Sequence, residues 1–154
     1  MTRRLVSLAL LGAGMAAAAD TRVVEAAKAS DRAAVEALIK GKADVNVAEA
    51  DGTTALDWAV RSGDAALVDD LLKAGANVQA ANRYGITALY LACQNGDAAM
   101  IEKLLAAGAN ANATVTEGET ALMTAAHTGN PAAISSLSDS IISRRSFLAS
   151  PRKP

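Results

Sequence analysis

The strongest constraint on what this chain can fold into is a periodicity of 33 residues. "DGTTALDWAVRSGD" at residues 51–64 returns as "YGITALYLACQNGD" at 84–97 and as "EGETALMTAAHTGN" at 117–130. Gly52, Gly85 and Gly118 share the spacing, as do Thr54, Thr87 and Thr120, and Leu56, Leu89 and Leu122. Ala59, Ala92 and Ala125 follow, then Gly63, Gly96 and Gly129, while Leu71-Leu72 is matched by Leu104-Leu105. Thr21, Val23, Ala26, Asp31, Val35 and Leu38-Ile39 carry the register back by one further unit. Such a period marks a stacked array, because one short unit cannot bury its own apolar face and must pack on a neighbour.

Each recurring residue has a local role. Thr54 is placed to cap a helix in which Leu56 and Ala59 share one face. Gly63 stops that helix by taking a left-handed conformation free of a Cβ clash. Asp64 then caps a second helix, with Val68, Leu71 and Leu72 as its apolar stripe and Gly75 as its stop. The polar, turn-like residues 76–85 project outwards before the cycle restarts. Alanines 59, 92 and 125 let neighbouring helices approach closely, which accounts for a chain that is 51% apolar with only 3% aromatic residues.

Composition removes several classes of chemistry. Cys93 and His127 are the only residues of their kinds. A disulfide framework and multi-cysteine or paired-histidine metal sites are therefore excluded. No metal and no cofactor is expected. Cys93, equivalent to Val60 and Ala126, reads as a packed thiol, and His127, equivalent to Arg61 and Gln94, as an exposed contact. A hydrolase built on that pair lacks an orienting group and oxyanion donors, so no catalytic residue is assigned. Asp69-Asp70 and Glu102 read as a solvated outer face, and Trp58, equivalent to Leu91 and Thr124, as a packing residue.

Residues 1–19 have the layout of a secretory signal peptide. Arg3 and Arg4 precede the apolar run "LVSLALLGAGM", and Ala17-Ala18-Ala19 supplies a cleavage site between Ala19 and Asp20. A periplasmic or secreted protein is expected, with no stable membrane insertion once the signal is removed. Residues 20–142 hold 9 basic and 16 acidic side chains, net −7, and residues 143–154 are a basic tail. An acidic body argues against nucleic acid as the partner, since phosphate recognition needs a basic face.

The blocks "DGTTALDWAVRSGDAALVDDLLKAGANV", "YGITALYLACQNGDAAMIEKLLAAGANA" and "EGETALMTAAHTGNPAAI" resemble the ankyrin-repeat family over about residues 21–137. The family's Thr-Pro-Leu-His tetrapeptide stands here as Thr-Ala-Leu-Asp, Thr-Ala-Leu-Tyr and Thr-Ala-Leu-Met, which loses the histidine's local hydrogen bonds. The resemblance implies an all-α solenoid of stacked antiparallel helix pairs with projecting β-hairpin loops. Repeats are expected at about 20–50, 51–83, 84–116 and 117–142. After Leu137 the pattern fails, with Ser138 for the second leucine. Two explanations stand open: a cap that continues one helix through Ile134, Leu137, Ile141 and Leu148, or an altered end.

By the same resemblance, hairpin tips and the first-helix face bind another protein. The positions that vary while the framework stays fixed are Ala50, Asp51 and Thr53; Arg83, Tyr84 and Ile86; and Thr116, Glu117 and Glu119. At the first-helix ends they are Arg61 and Ser62, Gln94 and Asn95, and His127 and Thr128. Equivalent sites in a stacked array lie side by side, so these form one surface. Arg83 and Tyr84 are of the types favoured as interface anchors. The expected function is non-catalytic protein binding by a chain monomeric on its own. The alternative is an accessory or inhibitory subunit that regulates a cell-envelope enzyme.

Overall fold

The computed structural model describes residues 20–148. The expected signal segment, including Ala19 on one side of the cleavage site, and residues 149–154 lie outside the described residues. Eight helices follow one another: α1 (Arg22–Lys28), α2 (Arg32–Lys40), α3 (Ala55–Arg61), α4 (Ala65–Lys73), α5 (Ala88–Asn95), α6 (Ala98–Ala106), α7 (Ala121–Thr128) and α8 (Pro131–Leu148). They form four helix pairs, and the architecture is the all-α solenoid expected from the repeat.

The caps fall where the spacing placed them. Thr54, Thr87 and Thr120 accept a hydrogen bond from the amide three residues on, at 3.3, 3.2 and 3.2 Å. Asp31, Asp64 and Asp97 do the same for the second helices at 2.9–3.0 Å, and Asn130 takes this place before α8. Each bond satisfies an amide that the helix itself leaves without a partner. Asp57 restores local bonding that the departure from Thr-Pro-Leu-His was expected to lose. Its carboxylate accepts from both the Thr54 amide and the Thr54 hydroxyl at 2.8 Å, closing a capping box.

The first helices stack in file, α1 on α3 on α5 on α7, and each packs against its own second helix. The core follows this file: Leu56, Ala59 and Val60 of α3, and Leu89, Ala92 and Cys93 of α5, are all at most 1% exposed. Leu67, Val68 and Leu71 close the layer from α4, as Met100, Ile101 and Leu104 do from α6. The second helices are tied across repeats by polar bonds, Arg32 to Asp70 at 2.8 Å and Lys103 to Asp69 at 2.5 Å. Of the acidic residues read as solvated, Asp69 and Asp70 are thus ion-paired to neighbouring repeats, and Glu102 accepts a hydrogen bond from Ser136. Helix α8 runs 18 residues, six past residue 142 into the segment read as a basic tail. Leu137 is fully buried and Ile141 packs against the core.

Candidate functional site

Three hairpins project between the helix pairs. Each is closed by a turn, Gly52 to Glu49, Gly85 to Asn82 and Gly118 to Val115, with amide-to-carbonyl distances of 2.9, 2.9 and 2.8 Å. The tips are also joined to one another. The Arg83 amide donates to the Asp51 carbonyl at 2.9 Å, and the Thr116 amide to the Tyr84 carbonyl at 3.0 Å. These backbone bonds set the tips side by side. At Gly52 (φ +91°) a Cβ would lie 2.9 Å from the Cα of Asn82 on the next hairpin, so close approach requires glycine there.

Between the second and third hairpins and helix α5 lies a cleft of about 350 Å³, lined by Tyr84, Ile86, Tyr90, Gln94, Val115, Thr116 and Glu117. Five of these belong to the surface expected from the variable positions. Tyr90 and Val115 were missed. Tyr90 occupies the last place of the Thr-Ala-Leu-Tyr tetrapeptide, and its phenol donates to Glu119 Oε2 at 3.1 Å. Glu119 also accepts from the Thr124 hydroxyl at 3.1 Å and lies 3.4 Å from Nδ1 of His127. That carboxylate therefore braces the Tyr90 ring as a wall of the cleft. Tyr84 at the lip is 55% exposed, and the Arg83 guanidinium lies 5.7 Å from its ring centroid.

The first-helix ends divide the expected site residues into two groups. Arg61, Gln94 and His127 make side-chain contacts away from the backbone: Gln94 lines the cleft, Arg61 lies 5.2 Å from the Trp58 ring centroid, and His127 meets Glu119. Ser62, Asn95 and Thr128 bond instead to backbone carbonyls, of Ala59, Val60 and Ala125, at 3.0, 3.0 and 2.8 Å. Their polar groups serve the stack. Ala50 is exposed, and Asp51 and Thr53 are half-buried, with Asp51 accepting from the Thr53 amide at 2.9 Å.

Trp58 is more than a packing residue. Its indole N–H donates to Glu49 at 3.1 Å, and its ring lies 4.9 Å from the Lys28 ammonium as well as near Arg61. Lys28 lies 33 residues before Arg61, so the period itself held the signal for this contact. Cys93 is fully buried, and burial pushes its thiol up to about 12. It holds no reactive thiolate at neutral pH, while His127 is highly exposed.

Among the described residues no group of three or more His, Cys, Asp or Glu side chains is placed to hold a metal ion. No described helix is long and apolar enough to cross a membrane. The family model of ankyrin repeats, in three copies, matches residues 5–82 and 63–144. No curated protein matches the chain.

Proposed function

The chain belongs to the ankyrin-repeat family, whose repeats are protein–protein interaction modules, and on that premise we propose that it is a non-catalytic binding protein working through its hairpin tips and first-helix face. The observation that carries this reading is the cleft beside Tyr84. Five residues from the variable positions converge on it, its lining is mostly apolar, and the hairpins that frame it are bonded to one another through their backbones. A surface built this way is ordered before the partner arrives, so little conformational entropy is lost on association.

The partner is another protein, met outside the cytoplasm. Export rests on residues 1–19 and is tested by N-terminal sequencing of exported material, which should begin at Asp20. The binding reading is tested by using the chain as bait in a periplasmic extract. A defined partner should be recovered by the parent protein and by Lys73→Ala on the outer face. Recovery should be lost on Arg83→Ala combined with Tyr84→Ala, since central interface anchors cost about 2 kcal/mol or more when truncated. Equal recovery by the double variant would show that this groove is not the binding surface.

A further inference from the structure

The chemistry of the cleft narrows the partner further, on the premise that the groove is the protein-binding surface. Its volume, about 350 Å³, stands at the lower end of ligand clefts, which start near roughly 300 Å³. It suits one long side chain rather than a helix. Two tyrosines, Tyr84 and Tyr90, line it, and Ile86 and Val115 add aliphatic surface. Tyrosine faces are electron-rich and attract cations. Aliphatic surface beside them suits a side chain with an apolar stem and a charged head.

The acidic groups of the hairpins differ in how they are occupied. Glu49 is engaged by Lys28 at 3.0 Å and by the Trp58 indole at 3.1 Å. Asp51 accepts from the Thr53 amide, and Glu119 from Tyr90 and Thr124. Glu117, exposed at the rim of the cleft, makes no hydrogen bond or ion pair with any described residue. The one hairpin carboxylate left uncompensated therefore stands at the cleft that the two tyrosines line. The surrounding body is itself acidic, net −7 over residues 20–142. Arg83 is the competing feature, a cation near the Tyr84 ring that would attract an acidic partner instead.

We propose that the cleft receives an arginine or lysine side chain of the partner protein, its stem laid on Ile86, Val115 and the tyrosines and its charge meeting Glu117. The test pans a displayed library of random peptides against the full chain and sequences the enriched clones. Selected peptides should carry a basic residue next to an apolar one. Their affinity should fall about tenfold on Glu117→Gln, the loss of one charge-assisted bond, and also on Tyr84→Ala, with both variants melting as the parent does. Peptides that depend on Tyr84 but lack a basic residue, or that are acidic and depend on Arg83, overturn the cationic occupant and leave the groove standing. A library that yields no peptide sensitive to Tyr84→Ala removes the groove and the proposal together.

Discussion

Asp57 shows two opposing forces at one carboxyl group. It is 3% exposed, and burial disfavours its charge and pushes its pKa above the ordinary carboxylate value, against the pull of the two Thr54 bonds and Arg61. A carboxyl whose pKa is higher folded than unfolded contributes stability that is complete below the unfolded value. That contribution is lost as pH rises through the folded value, above which the ionised Asp57 is a cost. Asp69 is the opposite case: the Lys103 ammonium holds it below the usual range, and its contribution disappears on acidification. Asparagine at 57 can set its one oxygen where Asp57 Oδ2 lies, accepting from both the Thr54 amide and the Thr54 hydroxyl without the charge. Asp57→Asn should melt at an equal or higher temperature at pH 7, with its advantage closing as pH falls through the carboxylate range. A lower melting temperature at pH 7 would mean that the cap requires the charge. Residue roles were only partly legible in the sequence. Capping threonines and aspartates announce themselves, because the chemistry is local. The period aligns Lys28 with Arg61 but does not show that Trp58 lies between them, and Tyr90 held by Glu119 is a pairing across repeats that alignment does not reveal.

The hairpins take their form from backbone bonding, and this is where sequence reading stops short at the level of elements. The glycine period announced the turns, but the tip-to-tip bonds use amides and carbonyls that any residue supplies. In the first repeat, Ser30 and Lys42 adopt φ of +54° and +60° at the places where later repeats have Gly63 and Gly75, a left-handed conformation that composition did not signal. Position along the stack also separates glycines that look equivalent. Gly52 and Gly118 have φ of +91° and +83°, so alanine at either meets the left-handed penalty of about 1–2 kcal/mol. A Cβ at Gly118 meets nothing within 4 Å, whereas at Gly52 it would press on the neighbouring hairpin at 2.9 Å. Gly52→Ala should therefore destabilise more than Gly118→Ala in urea unfolding. Equal losses would show that hairpin contact contributes nothing beyond the turn conformation.

A stack in which each repeat touches only its neighbours must be closed at its ends, and the way this chain closes bears on the cleft. Val60 and Cys93 are sealed by the following repeat, while the equivalent Ala126 is exposed, a small residue where a large apolar one would meet water. Helix α8 supplies the cover for α6 and α7: Ala133 and Leu137 are fully buried, and Ser136 donates to Glu102 at 3.0 Å. The departure from the repeat after Leu137 is thus a continuous helix that packs on the core at Leu137 and Ile141. The hairpin that gives the cleft its Val115, Thr116 and Glu117 precedes this last pair, so the pair's stability governs how firmly that wall is held. Leu137→Ala should cost about 2–5 kcal/mol, as deletion of buried leucine methyl groups does. In hydrogen exchange the amides of α7, α8 and the third hairpin should open before those of α3 to α6. Peptide affinity at the cleft should fall with them. Removal of residues 143–154 leaves Leu137 and Ile141 in place, and if these two residues close the stack it should change unfolding free energy by no more than about 0.5 kcal/mol. If that deletion instead loosens the third hairpin as much as Leu137→Ala does, the closing contacts lie beyond Ile141, and the cap is the whole of α8 rather than its first three turns.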